Sequence, residues 1–354
     1  MLIRPIHRCP LALRFMKGSI HPVIFLPVTL HALFTAIVVY FDKLYYYEKG
    51  GSLSLPASIV PSLSIVVGLM LVFRNQTSYQ RYWDGRNSLT TVVTTVRNLT
   101  RAFLVNAPDC HGSAARAGDL MDSSESSNET LIDPDSANTE MTVRVLVGIM
   151  YAIKHALRSE WCAAYAPPGS KLDGNHDGWH TAHTFTPEYE DLLPAGLRGL
   201  EESGVGLPVQ LTFFVERYIR QGLDKGWFAA PLASGLTAQL NTLMDAYSRM
   251  EMVRMTPIPV AYLIHMKQVL ALFCGILPFA VVESLGWLSI LMVTVVAFFL
   301  YGIEGIGIQL EDPFGLDKND IRMDSIVEDA RQEVMTLLGE WSSYREMFAV
   351  SDNV

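Results

Sequence analysis

Residues 55–73 read LPASIVPSLSIVVGLMLVF, a stretch without a single charged side chain. A helix needs about 20 mostly apolar residues to cross the hydrocarbon layer of a bilayer, and this stretch has nearly that length. Comparable apolar runs occupy residues 23–41, 259–282 and 286–303. A helix in a water-soluble core would carry polar residues along one side, and none of these runs does. The sequence therefore predicts an all-α membrane protein in which four transmembrane helices form two hairpins.

The distribution of lysine and arginine predicts how these helices are oriented. Four basic and no acidic residues lie within the first 20 residues, and five arginines follow the second apolar run between residues 74 and 101. The connection 42–54 carries two lysines, which two acidic residues offset. Because cytosolic flanks are enriched in Lys and Arg, we expect both termini and the long middle region to face the cytosol. The membrane is expected to be the plasma membrane or an organelle membrane.

The apolar runs divide the chain into five parts. These are a cytosolic N-terminus (1–22), a first transmembrane hairpin (23–73), a cytosolic helical region (74–258), a second transmembrane hairpin (259–303) and a cytosolic C-terminal segment (304–354).

Outside the membrane, apolar residues recur at helical spacing in several stretches. The pattern predicts helices over 77–106, 141–159, 205–221, 232–254 and 322–348, which together form a cytosolic helical bundle. Their apolar stripes hold more surface than a thin monomeric bundle can bury, so we expect contact with neighbouring subunits. Residues 107–140 are rich in Ser, Asp, Glu and Asn. Such a composition buries too little apolar surface to order itself, which predicts a disordered insert.

An apolar stripe follows one face of the second span. Ile65, Leu69 and Phe73 are spaced four residues apart, so they lie on the same side of a helix. Spacing alone favours contact with lipid or with another helix. Alternatively, several subunits that each contribute such a stripe would form an apolar ring, and rings of this kind gate pores by dewetting.

Composition excludes several classes of function. The formal net charge of −9 argues against a nucleic-acid partner, which requires a concentrated basic face. The four cysteines are far apart and form no CxxC pair, so no disulfide framework or zinc site is indicated. The chain contains no GxSxG elbow, HExxH motif or P-loop. We therefore expect a protein that is not an enzyme.

One loop resembles a metal site in composition. Residues 173–183 (DGNHDGWHTAH) combine histidines with aspartates, which are ligands suited to zinc or nickel. Their spacing matches no firm motif and the glycines indicate a solvated loop, which is the preferred interpretation. In the third membrane run, His265 and Lys267 are the ionisable residues. They lie near the cytosolic end, where a lysine can reach the interface, so a structural role is preferred for them.

Two segments resemble the signature sequences of a known family. The second span ends in FRNQTSYQRYWDGR (73–86), and the fourth runs into IEGIGIQLEDPFGLDKNDI (303–321). Both are similar to signature segments of the bestrophin family, including its bacterial and fungal members. The resemblance covers the four spans and the helices between them, and it leaves out the stretches 107–140 and 165–200.

The resemblance implies a funnel of five identical subunits around one axial pore, which conducts chloride and similar anions passively and has no catalytic residues. The family's three hydrophobic neck residues precede the Arg-Asn pair and fall here on Ile65, Leu69 and Phe73. A second, cytosolic constriction falls near Leu232, where the alignment is loose by a residue or more. The implied partners are small anions, the lipid bilayer and further copies of the chain.

Animal members of the family carry a calcium clasp after the fourth span, which bacterial-type members lack. Its acidic run is interrupted here by Leu316, Lys318 and Asn319, and Lys318 would repel a cation. From the residues alone, Asp312 caps a turn that Pro313 begins. No cofactor is therefore expected, with calcium as the alternative. The positions that correspond to the clasp are the carbonyls of Gln309 and Asp312 and the carboxylates of Asp317 and Asp320.

Two further functions stand beside the channel as alternatives. A secondary transporter would show internal repeats with broken helices at matched positions, and the two hairpins show no detectable repeat. A membrane-bound scaffold or metal-dependent enzyme would use the 173–183 loop as its site.

Overall fold

The computed structural model describes residues 20–46, 53–56, 58–107, 134–159, 187–189, 191–193 and 206–351. Almost all of these residues are helical, and among them there is no β-strand. Short helical turns occur at Asp42–Tyr46 and Pro187–Tyr189. The long helices are α1 (His21–Phe41), α2 (Ile59–Val105), α3 (Pro134–Arg158), α4 (Leu207–Asp224), α5 (Ala230–Met255), α6 (Val260–Leu285), α7 (Leu288–Gln309) and α8 (Met323–Ser351).

Four of these helices are long and apolar enough to cross a membrane. They are α1 with the turn that follows it, α2, α6 and α7, so the prediction of four transmembrane helices is confirmed. α2 begins at Ile59, which puts Pro61 in its first turn. A proline there breaks no helical hydrogen bond, because the first N–H groups of a helix have no partner within it. α2 then continues without interruption to Val105, as the periodicity of 77–106 predicted.

The predicted disordered insert 107–140 is wrong at its C-terminal end. α3 begins at Pro134, so residues 134–140 are helical. Proline suits the first position of a helix, and Asp135 in the first turn complements the helix dipole. The polar side chains of this turn also have partners, since the Thr139 hydroxyl lies 2.8 Å from the buried Tyr218 hydroxyl. Residues 108–133 lie outside the described residues, and so does the 173–183 loop.

The chain divides into two compact units, the first of which comprises the part up to Gly85 together with Val253–Ile321. In this unit α1 packs against α6 and α7, and α6 packs against α7. The apolar core that results draws one or more buried side chains from each membrane helix. Its members are Ile24, Val28, Val67, Leu71, Met266, Leu270, Phe273, Cys274 and Ala297.

The second unit comprises Arg86–Met252 and the chain from Arg322 onward. Its central helix is α3, which packs against both α4 and α8. Nearly every α3 side chain between Thr142 and Leu157 is buried, as expected for a helix covered on all sides. An aromatic cluster fills the space beside α4, where the ring centroids of Phe103 and Tyr218 are 5.0 Å apart.

A close approach between Gly222 and Phe228 leads to a testable prediction. A Cβ atom at Gly222 would lie 2.3 Å from Cε2 of Phe228, whereas one at Gly339 in α8 would meet nothing within 4 Å. We therefore expect Gly222→Ala to lower the free energy of unfolding by about 1–3 kcal/mol through overpacking. The matched variant Gly339→Ala should be neutral or stabilising by about 0.5–1 kcal/mol. Thermal melts of both purified variants test this, and a Gly222→Ala protein as stable as wild type would contradict it.

Candidate functional site

The membrane part of α2 has two chemically distinct faces. Val67 and Leu71 are each only 3% exposed and belong to the apolar core. Ile65, Leu69 and Phe73 are 70%, 54% and 55% exposed. Residues two apart on a helix point about 200° apart, so the exposed stripe lies on the side of α2 that faces away from the core. The structure thus places the three predicted residues together, on a surface that this chain leaves uncovered.

Beyond Phe73 the same face of α2 becomes polar, first with neutral amides and then with the Asp84 carboxylate. Gln76 and Gln80 follow at helical spacing and are exposed, and the Gln80 amide donates to Asp84 Oδ1 at 2.8 Å. An apolar stripe followed by neutral amides suits the wall of a pore that is narrow at the stripe and widens into water beyond it. One helix face encloses nothing, so such a pore requires several copies of the stripe around an axis.

The arginines of the FRNQTSYQRYW segment fasten α2 to the other elements of this unit. Arg81 donates to the carbonyl oxygens of Glu311 (3.0 Å), Thr256 (2.6 Å) and Val253 (2.5 Å). These bonds cap backbone carbonyls that helix ends leave without partners. In the sequence, Arg81 was part of the family signature and one of the basic residues that orient α2, and these contacts were not predicted. Because a basic residue after a membrane span already follows from the positive-inside rule, no signal in the sequence indicated these partners.

The proposed second constriction lies in the other unit. Leu232 is half-buried in the first turn of α5, next to the buried Ala233. No contact of the described residues distinguishes Leu232 from its neighbours, so its role remains a prediction.

Close packing explains why the residues of the EDPFG segment are of these types. The Phe314 ring is fully buried, and a Cβ at Gly85 would lie 2.8 Å from its Cζ atom. Asp320 Oδ2 accepts a hydrogen bond from the Asp317 backbone N–H at 2.8 Å. A Cβ at Gly315 would lie 2.7 Å from that same oxygen. The chain that follows EDPFG therefore forms a tight loop around the Asp320 carboxylate.

At two of the calcium-clasp positions the side chains have partners within the chain. Asp312 pairs with Arg254, and its other oxygen lies 3.4 Å from the Phe314 N–H, which agrees with the capping interpretation. The side chain of Gln309 accepts a hydrogen bond from Asn319 at 2.7 Å. Among the described residues no three His, Cys, Asp or Glu side chains are grouped so as to hold a metal. Calcium therefore stays the untested alternative to the expected absence of a cofactor, and no step of the function is assigned to it.

The fold and the exposed stripe define a helical integral membrane protein, and comparison with known proteins identifies the family. The model of the bacterial/fungal bestrophin family matches residues 1–336, so this chain belongs to that family.

Two curated relatives are similar over most of their length. Both are named voltage-dependent anion channel-forming proteins. The one from Nostoc sp. is 31% identical over 319 residues, covering 90% of this chain and 88% of the relative. The one from Synechocystis sp. is 30% identical over 324 residues, covering 91% and 89%.

Solved structures confirm the fold predicted from the sequence. A crystal structure of a bacterial bestrophin homolog from Klebsiella pneumoniae, 22% identical, superposes with a TM-score of 0.68. It covers 89% of this chain and 98% of the homolog.

Proposed function

We propose that this chain forms a homopentameric channel that conducts anions, chloride among them, passively through an axial pore. The observation that carries the proposal is the exposed stripe of Ile65, Leu69 and Phe73 on the side of α2 that faces away from the core. Five copies of this stripe would form three stacked apolar rings, which act as the neck of the pore. Conduction through such a neck involves no chemical step and therefore needs no catalytic residue.

The names of the relatives support an anion as the permeant ion. The Nostoc and Synechocystis proteins are each described as forming anion channels. The apolar neck carries no fixed charge, so the preference for anions rests on this kinship. An enzymatic or transport function has no comparable support among the described residues.

The proposed topology follows from the charge distribution. Basic residues lie before α1 and after the membrane part of α2, and such residues are enriched on the cytosolic side of a membrane. Both termini and the 74–258 region therefore lie in the cytosol. The five-part division of the chain follows the same argument. The family resemblance would make Leu232 part of a second constriction in the cytosolic vestibule.

The reversal potential under a KCl gradient tests the proposal. Purified protein is reconstituted in planar bilayers, and its oligomeric mass is measured in the same preparation. We expect pentamers and a reversal potential near the equilibrium potential of chloride.

Each other outcome changes a specific part of the proposal. A reversal potential near that of potassium would keep the channel and reverse its selectivity. Silent bilayers from intact pentamers would favour a scaffold or a missing activating ligand. Monomeric protein without current would contradict the channel itself.

A further inference from the structure

Arg74 is a buried charge directly beside the proposed neck. It follows Phe73 in α2, and yet it is only 1% exposed, because it points about 100° away from Phe73, toward the packed side of the helix. Its Nη1 lies 3.6 Å from Glu304 Oε1, and its Nη2 lies 3.7 Å from Glu311 Oε2. Hydrogen bonds between guanidinium and carboxylate groups are normally about 2.7–2.9 Å long. The three charges therefore face one another just beyond hydrogen-bonding distance.

Several polar atoms of this cluster have no hydrogen-bond partner among the described residues. They are Nε and Nη1 of Arg74 and Oε1 of Glu304. Leaving such groups bare costs about 1–3 kcal/mol each, and ordered water commonly satisfies them in protein interiors. A water molecule that bridges Arg74 Nη1 and Glu304 Oε1 would satisfy two of these three atoms.

The space for the guanidinium is provided by a glycine. A Cβ at Gly307 of α7 would lie 2.9 Å from Arg74 Nε. Any larger residue at position 307 would displace the arginine from the two carboxylates. Next to it, the Asn75 amide donates to the Ile303 carbonyl oxygen at 3.1 Å. Two successive residues of α2 are thus fixed against α7.

The charges around Arg74 balance when the nearby Lys267 is counted. Lys267 Nζ lies 3.9 Å from Glu304 Oε1, so two cations face the carboxylates of Glu304 and Glu311. This balance argues against an anion-binding site at Arg74 and for a structural pairing. Breaking a buried pair by removing one partner is costly, because the other charge is left uncompensated.

We propose that Arg74, Glu304 and Glu311, here named the Arg74 cluster, hold the turn of α2 that carries Phe73 and thereby set the width of the neck. The inference rests on the neck assignment proposed above. Residues adjacent on a helix point about 100° apart, so any rotation of α2 that turns Phe73 also moves Arg74. The fit of Arg74 against Gly307 and the carboxylates resists that rotation. Arg74 is therefore a positioning residue that acts through Phe73.

A double-mutant cycle between Glu304→Gln and Phe73→Ala tests the proposal. Glu304→Gln keeps the shape of the side chain and removes one charge of the cluster. We expect it to change the ratio of open to closed time in single-channel records by at least about twofold, the lower end of couplings between interacting residues. In the Phe73→Ala background the same substitution should have little effect, because the side chain through which it acts is absent.

Two further variants keep the test decisive. Arg254→Gln removes an arginine from an exposed ion pair in the same unit and should leave the open-to-closed ratio unchanged. If Glu304→Gln fails to assemble, the cycle is run with Glu311→Gln, whose side chain is less buried.

The possible failures are distinguishable. If Phe73→Ala leaves the current of the otherwise wild-type channel unchanged, the neck assignment fails, and this inference fails with it. If Phe73→Ala alters the current but Glu304→Gln shifts the ratio equally in both backgrounds, the neck stands and the Arg74 cluster does not act through Phe73. A Glu304→Gln channel with wild-type gating would also overturn the inference.

Discussion

Replacing Leu69 and Phe73 together by alanine is expected to raise the single-channel current severalfold or to abolish closure of the channel. An apolar ring opposes ion passage because it dewets and offers nothing to replace the hydration shell of an ion. Truncating both side chains widens the ring by several carbon atoms in each subunit. Flux depends exponentially on the barrier, with a tenfold change for about 1.4 kcal/mol, so even a modest widening has a large effect.

The same substitution should cost little stability. Leu69 and Phe73 are more than half exposed, and neither belongs to the apolar core of the membrane unit. Alanine at these positions therefore leaves no cavity in the core, unlike truncations of buried residues, which cost about 2–5 kcal/mol. Expression, oligomeric mass and melting temperature should remain close to those of wild type, so a changed current is attributable to the pore.

Matched controls come from α1, which carries similar side chains that are exposed but lie outside the proposed neck. Phe25 and Leu33 are 69% and 62% exposed, so Phe25→Ala with Leu33→Ala removes equivalent groups. Single-channel recordings of this control should resemble wild type. If the Leu69→Ala, Phe73→Ala channel also conducts as wild type does and its oligomer is intact, the neck does not consist of these residues.

The sequence predicted the membrane helices well because length and hydropathy are local properties. The stripe of Ile65, Leu69 and Phe73 could be predicted equally well from the sequence, since residues spaced four apart lie on one face of a helix whatever surrounds it. The partners of Arg74 were not predictable in this way. Glu304 and Glu311 lie far along the chain, and neither periodicity nor composition indicates which carboxylate meets which arginine.

Residues 134–140 were predicted to be disordered for a similar reason, since the contacts that order them lie far along the chain. Composition measures how much apolar surface a segment can bury, and this segment has little. It is nevertheless helical, because Thr139 and Asp135 find partners on and just after α4: the Thr139 hydroxyl meets Tyr218, and Asp135 pairs with Lys225. Specific polar contacts of this kind depend on the tertiary structure, which composition does not report.

A second large effect is expected from pH, through a buried histidine in the other unit. The His155 ring is almost fully buried on α3. Its Nδ1 lies 2.8 Å from the Tyr189 hydroxyl, and its Nε2 lies 3.0 Å from Glu188 Oε2. A neutral imidazole satisfies both contacts, by accepting from the tyrosine at Nδ1 and donating to the carboxylate at Nε2.

The surroundings of His155 keep it neutral. The pKa of His155 is lowered from its usual 6.5 to about 4, first by burial and then by the neighbouring Lys154 ammonium, against the opposing effect of the Glu188 carboxylate. Lys154 itself is held by Glu188 at 2.7 Å and by Asp324 at 3.3 Å, and Arg158 also pairs with Asp324. Two cations already face two carboxylates in this cluster, so protonation of His155 adds a positive charge that these carboxylates do not balance.

The sign of the pH effect follows from these pKa values. Between pH 6.5 and 4 the unfolded chain binds a proton at this histidine and the folded chain does not, so stability falls as the pH falls through that window. At pH 5 the loss amounts to about 2 kcal/mol, since each unit of pKa difference is worth about 1.4 kcal/mol.

The pKa values of Asp324 and Glu328 are lowered to about 2 by hydrogen bonds from Arg158 and Arg331. Those carboxylates reduce stability only below about pH 4.5, so they contribute little between pH 7 and pH 5.

Thermal melts at pH 7 and pH 5 measure the effect, and His155→Gln isolates it. Glutamine retains hydrogen-bonding groups for Tyr189 and Glu188 but does not titrate, so the melting temperature should fall less between the two pH values than in wild type. The His155→Gln protein is expected to start from a lower melting temperature at pH 7, because the imidazole packing is lost. His265→Gln, at an exposed position of α6, should keep the full wild-type difference. Equal pH dependence in wild type and His155→Gln would show that another group destabilises the protein in acid, since only the buried imidazole is removed by that substitution.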